Sequence, residues 1–392
     1  MSSKLRIGIL ATRTDIPPIS CNPGDDIVRD GQRWLIGQAL NSVDEIEWVP
    51  FCRYSPLQWL DGESPLRGVH PKWMWPLWSK YPQISKKFTS CDYLINASGP
   101  LLYAGRWFHS NYEPWHLVLN RWLRSPKSPK FLNLAFGTAF DERDLRVMQS
   151  TGWVQRATDS FTRSVADVAY VSTAREELAQ SQLKKYLPNV NAVPCPSLFG
   201  ANFHGVRSQK RDGVLLNFHP MGTRAREAGS KGSANWVRVF RALLKRLKAK
   251  GKRCHFIFHE ENELALARKH LDLSDAHYVV PGSVKEYIQC YANAEVAVSC
   301  RVHGVYAAAS CGIPAVGIGS DTRARMIDMI GYDCLSIDSI EIETLEAAVF
   351  AAIDNSTRQS EAVNAIKDNA KQYYIDLLRD SICRDRSTRS SI

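Results

Sequence analysis

Residues 294–318 read AEVAVSCRVHGVYAAASCGIPAVGI, and this stretch decides the fold of the chain. A short apolar run is followed by a polar turn, a helix of small residues, the helix stop Gly312 and a second apolar run. Apolar runs of this length on either side of a helix are typical of buried parallel strands. The stretch therefore predicts an α/β domain with a polar turn at the carboxyl end of a strand.

The polar turn carries Arg301-Val302-His303-Gly304, with a guanidinium and an imidazole side by side. Backbone N–H groups at a helix N-terminus favour negative charge, and the planar fork of Arg301 suits a phosphate or a carboxylate. The imidazole of His303 can move protons near neutral pH. Arg301, His303 and the helix that begins near Gly304 thus predict an anion-binding site with acid–base chemistry.

Apolar runs alternate with helical patterns along the rest of the chain. The first half carries such runs at 5–10, 46–50, 92–96, 131–135, 168–172 and 190–193. The second half carries them at 214–218, 255–258, 278–280, 294–299 and 315–318. The alternation predicts two doubly wound, Rossmann-like α/β domains that face a cleft, with ligands at the carboxyl ends of the strands.

Residues 200–213 are polar and form the best candidate for a domain boundary. We expect an N-terminal α/β domain over 1–205 and a C-terminal α/β domain over 206–340. Helices over 341–383 are expected to pack back on the body. The charged tail, 384–392, is predicted to be disordered.

The composition is that of a globular protein, with 392 residues, 44% hydrophobic and 23% charged. The formal charge of +10 favours acidic partners, although a solvated basic surface is the simpler interpretation of charge alone. Arg and Lys are spread along the chain, and no zinc-finger, leucine-zipper or RNA-binding signature occurs. No nucleic-acid partner is therefore predicted.

The ten cysteines form no C-x-x-C pair and have no metal-ligand spacing, which favours buried reduced thiols and predicts no metal. The N-terminal segment lacks the pattern of a signal peptide, and no apolar run is long enough to span a membrane. These features predict a protein of the reducing cytoplasm.

A second polar turn, Asn22-Pro23-Gly24-Asp25-Asp26, follows the first apolar run and leads into a helix. Gly24 allows a tight turn, and carboxylates stabilise a helix start, so a helix cap is one interpretation. The other is that Asn22 and Gly24 bind an acceptor and Asp25 acts as a base for its hydroxyl. The position on the first strand-to-helix loop raises the odds of the second interpretation.

Two other strand ends carry weaker signals. Gly137-Thr138 would present backbone amides to a ligand, but short turns of this kind are common. His219 and Arg224 follow the first apolar run of the second half. One interpretation is that His219 caps the loop and Arg224 is solvated. The other is that they help to bind a second anionic group, and the two interpretations are equally supported.

The segment Asp321-Thr322-Arg323-Ala324-Arg325 follows the run at 315–318, one strand beyond the Arg301 turn. Because the carboxyl ends of parallel strands meet at one edge of a sheet, the two loops are predicted to be neighbours. We expect Asp321 to cap the following helix and Arg323 or Arg325 to face the ligand.

Residues 71–81 are unusually aromatic and include the segment Trp73–Trp78. A loop folded over the core is one interpretation of this segment. A sugar-stacking platform or a membrane-surface anchor is the other, because Trp suits half-wet positions.

Taken in order, these motifs resemble the polysaccharide pyruvyl transferase family. Its C-terminal signature is an Arg-x-His turn, a small-residue helix, a Gly-x-Pro strand and an Asp-x-Lys/Arg loop, which residues 301–323 match. Asn22-Pro23-Gly24-Asp25 is similar to the family's Asn-x-Gly-Asp loop. The resemblance spans roughly residues 5–340 and is strongest over 294–325.

Two segments depart from the family pattern. Residues 172–179 resemble the Arg-Asp-x-x-Ser segment of the family, with Glu176 for the Asp and Ala179 for the Ser. Residues 194–199 fall where the family has Asp-Pro-Ala-Phe, but the Asp is missing near Ser197.

The resemblance implies a GT-B-like fold, with the acceptor on the N-terminal domain and the donor on the C-terminal domain. It implies transfer of the pyruvyl group of phosphoenolpyruvate to a sugar, which gives a pyruvate ketal and phosphate. The phosphate and carboxylate of this donor need convergent cations. The expected groups are Arg301, Gly304, Arg323 and Arg325 for the donor, His303 for the proton, and Asp25 for the acceptor hydroxyl.

Phosphoenolpyruvate is expected as the donor substrate, with no cofactor. A lipid-linked sugar acceptor and peripheral contact with the inner membrane face fit the basic charge and the segment Trp73–Trp78. A GT-B glycosyltransferase that uses a nucleotide sugar is the first alternative. A non-catalytic sugar- or phosphate-binding protein is the second, because a fold does not fix function.

Overall fold

The computed structural model describes residues 4–11, 23–41, 46–52, 82–97, 101–103, 118–140, 152–208, 211–220, 231–274 and 276–390. The chain divides into two compact units, in agreement with the two predicted domains. Unit 1 comprises Met1–Ser20, Gln32–Val193 and Lys371–Ile392. Unit 2 comprises Cys21–Gly31 and Pro194–Ala370.

This division differs from the predicted boundaries. The chain passes from unit 1 to unit 2 at Val193–Pro194 rather than near residue 205, and the polar residues that follow include a short helix. The first and the last helix each supply residues to both units. A polar composition indicates exposed backbone, but it does not locate the division between the two units. A long helix can continue across that division without any change in composition.

Unit 1 contains a parallel sheet. Its strands are β1 (Leu5–Ala11), β2 (Ile46–Cys52), β3 (Tyr93–Asn96), β4 (Leu102–Tyr103), β5 (Lys130–Phe136), β6 (Thr138–Ala139), β7 (Ala169–Ala174) and β8 (Asn191–Ala192). Six of them form the main sheet in the order β2-β1-β3-β5-β7-β8, while β4 and β6 pair separately. The helices are α1 (Pro23–Leu40, shared with unit 2), α2 (Pro82–Thr89), α3 (Gly152–Val168) and α4 (Glu177–Lys184).

Unit 2 contains a second parallel sheet. Its strands are β9 (Val214–Asn217), β10 (Cys254–Ile257), β11 (His277–Val279), β12 (Val296–Ser299), β13 (Ala315–Gly319) and β14 (Cys334–Ser336). The six strands follow the order β11-β10-β9-β12-β13-β14. The strand order therefore reverses between β9 and β12, which is the topological switch point where such sheets bind ligands.

The helices of unit 2 begin with the N-terminal part of α1. The others are α5 (Gly200–His204), α6 (Lys231–Ala249), α7 (Glu261–Arg268), α8 (Val284–Ala292), α9 (Val302–Ser310), α10 (Arg325–Asp328), α11 (Ile342–Asp354) and α12 (Ser356–Ser390, shared with unit 1). Since α12 is helical to Ser390, the tail predicted to be disordered from residue 384 is helical over most of its length.

The strands around the switch point are buried on both faces. All residues of β9, β12 and β13 are buried, which explains why they appear in the sequence as continuous apolar runs. Helix α6 covers them with Trp236, Val239 and Phe240, each fully buried. The predicted fold class, α/β with two doubly wound domains, is confirmed, while the predicted cleft stays a prediction.

Candidate functional site

The Arg301 turn lies at the switch point of unit 2. Strand β12 ends at Ser299, and Arg301 occupies the N-cap position of α9 with an extended backbone, φ −105° and ψ 120°. The Ser299 hydroxyl accepts a hydrogen bond from the Arg301 N–H (3.0 Å) and donates one to the Arg301 carbonyl (2.9 Å). The turn is thus fixed by its own strand end, where doubly wound domains bind ligands.

A buried carboxylate orients the Arg301 side chain. Nη2 of Arg301 forms an ion pair with Oε1 of Glu263, and the two side chains are 13% and 2% exposed. Burial by itself would raise the pKa of Glu263, but the guanidinium of Arg301 lowers it to about 2. Oε2 of Glu263 also accepts a hydrogen bond from the backbone N–H of His259 (2.8 Å). Glu263 is therefore ionised near neutral pH and holds Arg301 in one orientation.

The Arg301 guanidinium keeps a donor for a further partner. Its Nε is buried, and no acceptor among the described residues bonds to it. A buried donor without a partner costs about 1–3 kcal/mol, so an anion that accepts from this N–H would be bound favourably. Arg301 thus combines a preset orientation with unused donor capacity.

Buried hydroxyl groups connect His259 to the turn. Nε2 of His259 lies 2.6 Å from the Tyr287 hydroxyl, which lies 3.2 Å from the Tyr291 hydroxyl. Tyr291 in turn hydrogen-bonds Ser299, and burial raises the pKa of both tyrosines. Both phenols therefore stay protonated at neutral pH, and a satisfied buried network of this kind makes its surroundings rigid.

The N-terminal turn meets His303 within unit 2. A Cβ built on Gly24 would lie 2.4 Å from Nδ1 of His303, so only glycine allows the two turns to approach this closely. Asp25 follows in the first turn of α1 and is 7% exposed. The structure therefore brings the N-terminal turn to the Arg301–His303 turn, while Asn22 lies outside the described residues.

His219 lies two residues beyond β9, the strand beside β12. Asn217 pairs in register with Ser299, so His219 and Arg301 both follow strand ends at the switch point. The His219 residue is 4% exposed, and its carbonyl accepts a hydrogen bond from Nε1 of Trp236 (3.2 Å). Its part in anion binding stays a prediction, and Arg224 lies outside the described residues.

Asp321 caps the turn after β13, as predicted. Its Oδ1 accepts hydrogen bonds from the backbone N–H (3.0 Å) and Nε (2.9 Å) of Arg323. Since β13 pairs with β12, this loop follows the strand next to that of Arg301. Arg323 is thus held by its own loop and Arg325 is exposed, and ligand contact by either arginine stays a prediction.

Unit 1 carries an arginine directly after a strand as well. Arg175 follows β7 and is 1% exposed, and none of its three guanidinium nitrogens has a hydrogen-bond partner in the part of the chain that the structure describes. A Cβ on Gly137 would lie 2.1 Å from Nε of Arg175, so the side chain requires a glycine there. Because an unpaired buried charge is costly, Arg175 is a second candidate anion-binding group.

The departures from the family pattern preserve the local structure. Glu176, in place of the usual Asp, caps α4 by accepting a hydrogen bond from the Ala179 N–H (3.0 Å). It also accepts one from the Thr138 hydroxyl (2.9 Å). This cap uses only the backbone of Ala179, so it needs no serine side chain there. Ser197 lies in a buried 3₁₀ turn, Pro196–Phe199.

Four residues of the unit 2 network are missed by sequence reasoning. Glu263 carries no sequence signal beyond its place on α7, although it is buried. The local signal of Tyr287 and Tyr291 is their spacing of four residues, which puts both on one face of α8. His259 carries no signal of its own. The sequence pattern marks Arg175 more clearly, because it directly precedes Glu176 in the family-like segment.

The described residues contain neither a metal-binding cluster nor a helix that could span a membrane. Within the described ranges, no group of three or more His, Cys, Asp or Glu side chains is arranged to hold a metal ion. Among the helices in those same ranges, none has the length and apolar character needed to cross a membrane.

The fold and the site together define a class of protein. Doubly wound domains bind ligands at the switch point of the sheet, and in unit 2 that point carries an arginine and a histidine, which suit an anionic ligand. The family model of the polysaccharide pyruvyl transferases matches residues 22–322, and the chain belongs to this family. Among curated proteins, no sequence matches the chain.

Solved structures show a GT-B-like fold. The UDP co-structure of MnaA from S. aureus is 12% identical, with 95% of this chain and 97% of that chain covered and a TM-score of 0.53. Anabaena Alr3699/HepE in complex with UDP and glucose is 9% identical, with 98% and 99% covered and a TM-score of 0.51. At such identities the likeness concerns the fold alone.

Proposed function

We propose that this protein transfers the pyruvyl group of phosphoenolpyruvate to a sugar of a polysaccharide or its precursor and forms a pyruvate ketal. The observation that carries the proposal is Arg301, which Glu263 orients and whose buried Nε–H has no acceptor among the described residues. The phosphate or the carboxylate of the donor supplies that acceptor. The N-terminal amides of α9 add further positive potential for the same anion.

The chemistry is divided between His303 and Asp25. The imidazolium of His303 gives a proton to the methylene carbon of the donor, and a cation forms at the carbon that bears the phosphate. One sugar hydroxyl attacks this carbon, and Asp25 takes the hydroxyl proton. A second hydroxyl then displaces the phosphate, which leaves with the second proton. The products are the ketal and inorganic phosphate, and the proton held by Asp25 replaces the one that His303 spent.

The remaining predicted residues act as substrate contacts in this proposal. Arg323, Arg325, His219 and Arg224 contribute to anion binding, while Asn22 and Gly24 contact the acceptor. The reaction uses phosphoenolpyruvate as substrate and needs no cofactor, metal or nucleic acid.

The proposed acceptor sugar is carried on a lipid, and the proposed location is the cytoplasm with peripheral contact at the inner membrane face. The formal charge of +10 supports this contact, because basic surfaces are attracted to anionic lipid headgroups. The segment Trp73–Trp78, proposed as a sugar platform or membrane anchor, lies outside the described residues.

A thermal-shift comparison tests the donor. Phosphoenolpyruvate and a panel of UDP-sugars are added to the wild type and to Arg301→Lys, which keeps a charge beside Glu263 but loses the planar fork. A ligand present at 100 times its Kd stabilises the folded state by ~2.7 kcal/mol. We expect phosphoenolpyruvate to stabilise the wild type and not the variant. A wild type that does not respond to phosphoenolpyruvate contradicts the proposal.

A glycosyltransferase that uses a nucleotide sugar is the second candidate. The fold neighbours that bind UDP favour it, and stabilisation by a UDP-sugar alone would select it. A non-catalytic binding protein is the third candidate, favoured by the missing Asp near Ser197. Donor binding without phosphate release in the presence of any sugar acceptor would select this third candidate.

A further inference from the structure

A groove of about 1010 Å³ lies on unit 2 between α6 and the segment that follows α7. Helix α6 contributes Arg241, Lys245 and Lys248, which are spaced to lie on one helix face. Arg268 and Lys269 line the groove from the end of α7. We call this feature the basic groove, defined by these five side chains.

The charge of the basic groove is strongly unbalanced. Among the described residues, its lining contains the five cations and one carboxylate, that of Asp272. This carboxylate also accepts hydrogen bonds from the N–H and the hydroxyl of Ser274 (3.1 and 2.7 Å). All five cationic residues are exposed, and in the part of the chain that the structure describes none of them forms an ion pair. The groove therefore concentrates positive charge that the described residues do not neutralise.

Two cations near the groove, Arg246 of α6 and Lys250 directly after it, are neutralised. Arg246 pairs with Glu346 (2.5 Å) and Glu343 (2.8 Å), and Lys250 pairs with Glu346 (3.1 Å). These carboxylates belong to α11, which packs against α6. One side of α6 is thus matched by acidic residues of the same unit, while the side facing the groove is not.

Tyr278 gives the groove an amphipathic edge. It belongs to β11, the edge strand of the unit 2 sheet, and is 39% exposed. Its hydroxyl accepts a hydrogen bond from Nη2 of Arg268 (2.7 Å), which keeps the ring beside the cations. Half-exposed tyrosines with a polar tip suit the interface between water and lipid headgroups.

We propose that the basic groove binds the phosphate headgroups of an anionic lipid surface. Exposed ammonium groups are screened by salt and hold one small phosphate ligand weakly, but they act together on a surface of dense negative charge. Each Lys or Arg beside such a surface raises the affinity about fivefold. Among the described lining residues, the exposed aromatic ring is that of Tyr278, and one ring is too few to stack successive nucleic-acid bases, so lipid fits better than RNA.

The basic groove would be the surface through which the protein makes the membrane contact of the proposed function, and the inference rests on that contact. It does not rest on the ketal chemistry, because the Arg301 turn contributes no residue to the groove. Vesicle binding and phosphoenolpyruvate response can therefore fail separately.

The test measures binding of the full chain to vesicles of phosphatidylcholine, with or without phosphatidylglycerol, at low ionic strength. The test variant is Lys245→Gln, Lys248→Gln and Lys269→Gln together. The control variant is Lys127→Gln, Lys184→Gln and Lys285→Gln, which removes the same charge from exposed lysines elsewhere. We expect binding only to the anionic vesicles, a loss of about 100-fold in the test variant and a loss of less than about fivefold in the control. Thermal midpoints check that both variants fold.

Equal losses in the two variants would show that only the total charge matters and would overturn the groove as the binding surface. Absence of vesicle binding by the wild type would overturn both the groove and the membrane contact, while the donor response still tests the transferase. Release of the wild type from vesicles by inorganic pyrophosphate at stoichiometric concentration would assign the groove to a soluble ligand. Preference for single-stranded RNA over the vesicles would assign it to nucleic acid.

Discussion

Arg301 and Arg175 occupy comparable places in the two units, but their surroundings differ. Each follows a parallel strand, β12 in unit 2 and β7 in unit 1. Arg301 pairs with the buried carboxylate of Glu263, whereas Arg175 is 1% exposed and has no partner for its guanidinium among the described residues. Unit 2 therefore fixes the direction of its cation before a ligand arrives, while unit 1 leaves its cation unbalanced.

The difference shows two ways in which a buried arginine can favour the binding of an anion. A paired arginine is stable without ligand and offers its remaining N–H groups in a fixed orientation. An unpaired buried arginine costs stability until an anion binds, so its ligand contributes folding free energy as well. The two arginines should consequently respond with opposite sign when they are replaced.

The largest expected effect is that of Arg301→Ala. It leaves Glu263 buried without a partner, and breaking such a pair costs about 3–5 kcal/mol, measured by urea unfolding. The double variant Arg301→Ala with Glu263→Gln should recover most of this loss but not the response to phosphoenolpyruvate. A single variant as stable as the wild type would show that the ion pair does not stabilise unit 2.

The next effect is the pH dependence contributed by Glu263. Its pKa in the folded state is lowered from 4.5 to about 2, so its stabilisation is present above pH 4.5 and disappears as the pH falls towards 2. The full contribution is roughly 3 kcal/mol, and Glu263→Gln should remove this part of the acid dependence in urea unfolding between these pH values. Glu261→Gln, an exposed change on the same helix, should retain it. Identical acid profiles for wild type and Glu263→Gln would show that the ionised carboxylate of Glu263 does not stabilise the folded state.

A smaller effect of opposite sign is expected for Arg175→Met. The change removes a buried charge and keeps the bulk, so the free energy of unfolding should rise by about 1–3 kcal/mol. Arg175→Lys serves as the control, because it retains the charge and should not gain stability. A loss of stability in Arg175→Met would mean that the guanidinium is balanced in the folded protein.

The smallest effect on stability is expected for Arg323→Ala. Its side chain is 26% exposed and pairs within its own loop with Asp321, so its removal should cost less than about 1 kcal/mol. If Arg323 contacts the donor, the KM for phosphoenolpyruvate rises about tenfold, equivalent to 1.4 kcal/mol. Arg325→Ala tests the other predicted donor contact beside this loop, and Lys285→Ala, an exposed change elsewhere in unit 2, is the control. An unchanged KM in Arg323→Ala would leave donor binding to the Arg301 turn.

Much of the fold could be predicted because its signals are local. Strands β9, β12 and β13 are buried on both faces, so each appears as a continuous apolar run. The cap at Asp321 is equally local, since its side chain bonds the N–H two residues later. The tail from residue 384 was harder to predict, because α12 continues through it. The boundary near residue 205 was also harder to predict, because part of the polar stretch forms helix α5 inside unit 2.

The candidate site was predicted in part for the same reason. Arg301 and His303 are recognisable because one strand-to-helix turn carries both. The approach of Gly24 to His303 depends on where the start of α1 packs. Periodicity did not indicate that the two turns act together, whereas the family resemblance assigned both of them to the reaction. Glu263 carries no such mark, because a glutamate on a helix is most often solvated.

By itself, the sequence determined the alternation of strands and helices and the turn that carries Arg301 and His303, since periodicity and turn chemistry act between near neighbours in the chain. Only the tertiary structure decided which charge is paired and which is not. Burial of Glu263 beside Arg301, and of Arg175 without a partner among the described residues, depends on strand order and helix packing. Electrostatic energies follow distance and burial in space, and neither can be read from separation along the chain.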